Sequence, residues 1–161
     1  MRFLCLFLLA SPLAAQSPAV KHPDLTGTWV LDAAKTVVDG PVPAPSAATY
    51  VVGGHGDSIT VNIKVSDVTG DMTLTRLYAT DGYAWTNYMT YQGTQLTLSS
   101  VLKWNGAVLS IVTTTDFGGT PVQQSETWTL GVDGKTLTAA TTTNVAGEYY
   151  AAQTLVFNKK P

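Results

Sequence analysis

"SITVNIKV", residues 58–65, is the stretch whose reading decides the fold. Ile59, Val61, Ile63 and Val65 alternate with Thr60, Asn62 and Lys64. Successive side chains of a strand point to opposite faces, so this stretch has one apolar face and one wet face. β-Branched residues fill it, and these fit a pleated, half-buried surface. The same period of two recurs in both directions along the chain, while helix signals are nearly absent.

Toward the N-terminus, the glycine-rich turn 53–57 leads back to a strand over 47–52. Before it, residues 32–46 carry Gly40, Pro41, Pro43 and Pro45. That composition predicts an extended connection with at most one helical turn near Ala33–Thr36. A first strand precedes it at 25–31, with Gly27, Trp29 and Leu31 on one face. Toward the C-terminus, strands are expected at 72–79, 83–90, 95–104, 107–115, 122–130, 135–143 and 148–158. Turn chemistry separates them every eight to twelve residues. Asn105-Gly106 is the strongest hairpin signal and predicts a type I′ turn. "NGAVLSIVTTT" (105–115) echoes "DGKTLTAATTT" (133–143), which reads as repeated hairpin grammar.

Ten short strands joined by hairpins make an antiparallel up-and-down meander. Left open, it would have two bare edges; closure into an 8–10-stranded up-and-down β-barrel removes them. In such a barrel the first strand bends across one end. Gly27 is expected to allow a close backbone approach there, and Trp29 to plug the barrel.

The chain starts with Met1-Arg2, an apolar run from Phe3 to Ala10 and a small-residue stretch to Ser17. This is the layout of a signal peptide over 1–17, too short to span a bilayer, with cleavage after Ala15 or Ser17. Residues 18–24 form a lead-in and 25–160 the barrel domain. The expected location is secreted or periplasmic. Cys5, the single cysteine, lies in the leader, so the mature chain has no disulfide. A domain of this size buries roughly 70% of its unfolded surface, enough for a sizeable core.

Net charge is −2 and only 12% of residues are charged. Arg76 is the only arginine after the leader, and the lysines are scattered. The sequence therefore argues against nucleic-acid binding and against stable membrane insertion of the mature chain. A monomer is expected.

"GTW" at 27–29, opening the first strand of an all-β chain with a leader, resembles the Gly-x-Trp motif of lipocalins and the wider calycin group, and so implies a calycin-like barrel. "KWNGAVLSIVTTT", "SETWTLGVDGKTLT" and "QTLVFNKK" extend the resemblance to a lipocalin-like family of uncharacterised secreted bacterial proteins, over 25–160. The resemblance implies the barrel fold; the family has no agreed activity. Lipocalins usually carry a disulfide and a terminal helix, and this chain shows neither. Fatty-acid-binding proteins carry a helical lid after strand one and an arginine–tyrosine clamp on their last strands. Here a proline-rich stretch replaces the lid, and Tyr149 and Gln153 stand at the chain's end without an arginine.

The strand faces give the candidate site. Met72, Leu74, Arg76 and Tyr78 share a face, as do Tyr83, Trp85, Asn87 and Met89. Leu96, Leu98, Ser100, Leu102 and Trp104 share another; so do Leu109 and Ile111. Val122, Gln124, Glu126, Trp128 and Leu130 align, and so do Tyr149, Ala151, Gln153, Leu155 and Phe157. Turned inward, these faces give a mixed aromatic and aliphatic lining with a few polar groups, the composition of a small-molecule pocket. The candidate ligand-binding residues are Arg76, Tyr78, Trp85, Asn87, Trp104, Gln124, Glu126 and Gln153. Arg76 and Glu126 either orient a guest's polar end, or pair with each other, or face water at a mouth. Gln124 and Gln153 serve a hydrogen-bond network or a ligand equally well. Trp29 and Trp128 read as core plugs.

Enzyme signatures are missing. There is no Gly-x-Ser-x-Gly elbow, no phosphate loop and no purposeful carboxylate pair. Asp67 and Asp71 flank a turn, where aspartate is common. His22-Pro23-Asp24 and His55-Gly56-Asp57 each lack a third metal ligand nearby. The expectation is no catalysis, no metal and no cofactor, with a small hydrophobic ligand as partner. Two readings stay open: a barrel that holds an apolar or amphipathic molecule, and one filled by its own side chains that acts through its surface as an envelope interaction or inhibitor module. An enzymatic site would require His55 or Glu126 to converge with other polar groups in a cleft.

Overall fold

The computed structural model describes residues 22–161 apart from 56 and 92. Residues 1–17, the expected signal peptide, and residues 18–21 lie outside the described residues, as does the side chain of His55. Eleven strands follow: β1 Gly27–Leu31, β2 Val37–Asp39, β3 Ala47–His55, β4 Ser58–Asp67, β5 Gly70–Ala79, β6 Ala84–Tyr91, β7 Thr94–Asn105, β8 Val108–Phe117, β9 Thr120–Leu130, β10 Thr136–Val145 and β11 Glu148–Lys159. A 3-10 turn at Ala33–Lys35 is the one helical piece among the described residues.

All ladders are antiparallel. The order β5-β4-β3-β1-β11-β10-β9-β8-β7-β6 makes the meander, with β2 added beside β11. The first and last strands pair through Trp29–Lys159 and Leu31–Phe157. The sheet thus rolls into a nearly closed barrel. Its seam falls between β5 and β6, which are consecutive in sequence yet share no ladder.

The alternation read from the sequence sets the interior. Tyr50 pairs with Ile63 and Trp29, and Ile63 with Leu74. Trp128 pairs with Leu109 and Ala139. Trp29, Leu109, Leu137 and Phe157 are fully buried, and Trp128 nearly so. Outward rows are polar, as in Asn62–Thr75, where Thr75 Oγ1 donates to Asn62 Oδ1 at 2.7 Å.

Four local expectations need correction. β2 lies within the stretch read as an extended connection. β1 covers only the Phe157–Lys159 end of β11, which leaves Ala152–Thr154 free to pair with Val37–Asp39. Gly27 has φ +130, but what a side chain there would meet is the flexible end of Lys159, not a backbone. The close backbone approach is at Gly40 instead, where an added Cβ would stand 2.6 Å from the Tyr150 carbonyl.

The Asn105-Gly106 hairpin turns on Gly106 and Ala107, because Asn105 pairs with Val108. Only Gly106 has positive φ there, the type II′ pattern rather than I′. This register sets Ser100 opposite Thr113, and their buried hydroxyls bond at 2.9 Å. The expected turn would have placed Ser100 against Ile111, leaving both hydroxyls without that bond. Type I′ geometry appears at Gly118–Gly119 and Ala146–Gly147, where both central residues have positive φ. Finally, a register shift near Thr143 turns Tyr149 away from the row of Ala151; it is exposed and donates to Asp39 Oδ2 at 2.6 Å.

Candidate functional site

Arg76 and Glu126 come from distant parts of the chain and meet inside the barrel. Arg76 sits on β5 in a row with Val61 and Val52. Glu126 sits on β9 in a row with Ile111, Thr141 and, through Thr141, Gln153. Each row is inward because its neighbours' apolar alternation is inward. Rolling the sheet brings the two rows face to face, with Arg76 Nη1 4.0 Å from Glu126 Oε2.

That separation is too long for a hydrogen bond. Arg76 Nη1 also donates to the Tyr78 hydroxyl, at a long 3.4 Å. Its Nε is buried without any partner. Glu126 is held firmly from one side only, by the Trp128 indole N–H on Oε1 at 2.5 Å. The two side chains keep 13% and 12% of their surface exposed, so solvent still reaches the pair.

Tyr50 completes the cluster from β3. Its ring packs on Phe157 at 4.5 Å and on Trp128 at 5.8 Å between centroids. Burial pushes its phenol far above the ordinary tyrosine value, and the charge of Glu126 adds to the rise. Burial likewise raises Tyr78. Burial works against the charge of Arg76, but the oxygens of Tyr78, Glu126 and Tyr50 outweigh it and hold the guanidinium charged. The arrangement sets a guanidinium and a carboxylate beside a buried aromatic cluster, with unused hydrogen-bonding capacity on both.

The other candidate residues divide. Tyr78 belongs to the cluster. Gln153 shares the Glu126 row, and Gln124 lies in the adjoining row with Thr113 and Thr143; both are half-buried. Asn87 is buried, but its amide closes the seam: Oδ1 accepts from Leu77 N–H at 2.8 Å and Nδ2 donates to Leu77 O at 2.9 Å. Trp85 is 42% exposed. Tyr50 is absent from the sequence-derived set; its alternation with Ala48 and Val52 was the available signal.

Trp104 stands elsewhere, at the end crossed by the lead-in. His22 stacks on it at 4.6 Å with rings 6° from parallel. Leu25 is buried beneath, and its carbonyl accepts the Trp29 indole N–H at 2.8 Å. Two shallow clefts flank Trp104. One, about 220 Å³, runs between the lead-in and the Gly53–Gly54 end of β3; the other, about 310 Å³, is bounded by His22, Asp81 and Lys103. Both are open to solvent, the first below and the second at the lower end of the ordinary ligand-pocket range of about 300–1,000 Å³. Among the described residues, no three His, Cys, Asp or Glu side chains converge on a metal position. No helix there is long and apolar enough to cross a membrane.

No protein-family model matches the chain, and no curated protein matches it.

Proposed function

We propose that this protein is a lipocalin-like carrier, exported from the cell, that holds a small amphipathic molecule inside the barrel without transforming it. The observation that carries this reading is the Arg76 guanidinium: an interior cation with an orphaned Nε–H, and with its nearest carboxylate only at 4.0 Å. Burying a charge so loosely partnered is unfavourable for an empty, purely structural interior. A guest that supplies the missing acceptor removes that penalty. Export rests on the apolar run Phe3–Ala10.

Native mass spectrometry of the protein purified gently from its host tests the reading. A reproducible co-purifying small molecule, and uptake of the neutral fluorophore N-phenylnaphthylamine by the emptied protein, are expected. A clean apo mass with no uptake would overturn it. One observation favours the second reading, a barrel acting through its surface: Trp29, Leu109, Leu137 and Phe157 have no accessible surface in the interior. Absence of uptake would select it.

A further inference from the structure

The carrier reading leaves open which head group the cluster takes. We infer that it selects a neutral group that both accepts and donates, such as a hydroxyl or a carboxamide, over a carboxylate or an ammonium. The inference rests on the carrier reading and goes one step further.

Charge comes first. A carboxylate head seated between the two side chains would gain the Arg76 cation but lie equally close to Glu126, whose Oε2 is 4.0 Å from Arg76 Nη1. At such similar distances the attraction and the repulsion largely cancel. The desolvation cost of the guest's own charge is then left unopposed. An ammonium meets the mirror-image problem at Arg76.

Geometry comes second. A single oxygen at an ordinary hydrogen-bond distance of about 2.8 Å from both Arg76 Nη1 and Glu126 Oε2 would see them about 90° apart. That is close to the angle between a hydroxyl's donor and acceptor directions. Such an oxygen accepts from the guanidinium and donates to the carboxylate. It replaces an over-long ion pair with two hydrogen bonds to charged groups, which are the stronger kind. Glu126 is already steered for this role, since Trp128 occupies its other oxygen. The orphaned Arg76 Nε–H can take a second acceptor, which a carboxamide carbonyl or the guest's next oxygen provides.

A matched series on one chain length tests it: decanol, decanamide, decanoate and decylamine at neutral pH, each displacing N-phenylnaphthylamine from the full-length protein. Decanol and decanamide are expected to bind about tenfold or more tighter than the two ions. Glu126→Gln keeps the acceptor for Trp128 and removes the negative charge, so decanoate should rise to the top of the order. Arg76→Gln should raise decylamine instead. Should one variant fail to fold by circular dichroism, the other and the native order still decide. Decanoate first in the native protein, four equal affinities, or an order unmoved by both folded variants would overturn the inference alone. No binding by any of the four would remove the carrier reading with it.

Discussion

The side-chain amide of Asn87 bonds both the N–H and the carbonyl of Leu77, at 2.8 and 2.9 Å, across the one junction of the barrel that has no ladder. A primary amide presents the same donor–acceptor pair as a peptide unit. Asn87 therefore stands in for a missing rung between β6 and β5. Replacing it with Ala removes two hydrogen bonds and leaves the Leu77 groups partly buried, a loss of about 2–4 kcal/mol. Urea denaturation should show that loss. Gel filtration should also show new association, because two strand edges are then bare. A change below about 0.5 kcal/mol, within the range of neutral surface substitutions, would show that packing alone closes the seam.

Gly40 and Gly119 both have positive φ, yet they should respond differently to alanine. At Gly40, with φ +100, the new methyl would stand 2.6 Å from the Tyr150 carbonyl and 2.9 Å from Ala151 Cα. These are backbone atoms and cannot step aside without shifting β11. At Gly119 nothing lies within 4 Å. Gly40→Ala should cost about 3 kcal/mol or more and Gly119→Ala about 1–2 kcal/mol, the latter from backbone conformation alone. Equal losses in thermal or urea melts would mean that β2 does not dock on β11 as described.

Tyrosine ionisation should split into groups. Burial raises Tyr50 and Tyr78, and the hydrogen bond to Asp39 raises exposed Tyr149. A folded value above the unfolded one means that these groups add stability fully below the unfolded value of about 10. That stability is lost as pH climbs from there through the folded values. Absorbance at the phenolate band should therefore show part of the seven tyrosines titrating late, with the alkaline loss of far-ultraviolet dichroism. Tyr50→Phe should flatten the alkaline limb of the stability curve. An unchanged limb would mean that Tyr50 is not buried beside Glu126.

Much of this was legible in the sequence, strand by strand. Ile59 to Val65 declared its inner face, and the parity of Arg76, Glu126, Gln124 and Gln153 followed from the same alternation. What periodicity cannot carry is distance between strands far apart in the chain. The meeting of Arg76 with Glu126 depends on how the sheet rolls, and the partner of Asn87 depends on where the seam falls. β2 was hidden because its pairing is with β11, over a hundred residues away, and prolines follow it closely. Tyr149 was misplaced by one extra residue in β11, which reverses parity without any glycine or proline at that point to announce it. The Asn105-Gly106 signal was read from its dipeptide, but the hydroxyl pair Ser100–Thr113 favours a loop one residue further on.

The Arg76–Glu126 pair should be a liability for stability and a requirement for uptake. Arg76→Met alone leaves Glu126 without a nearby cation in a mostly buried position, and about 2–3 kcal/mol should be lost. Adding Glu126→Gln removes the stranded charge while Gln still accepts from the Trp128 indole. The double variant should recover native stability or exceed it by about 1 kcal/mol, since the native contact is long and Arg76 Nε is unsatisfied. Uptake of decanol should meanwhile fall at least tenfold, because neither hydrogen bond to a charged group survives. Denaturation and probe displacement on the same four proteins separate the two effects. A double variant that is weaker than either single one would make the pair a structural strut, and undiminished uptake would move the binding site away from the middle of the barrel.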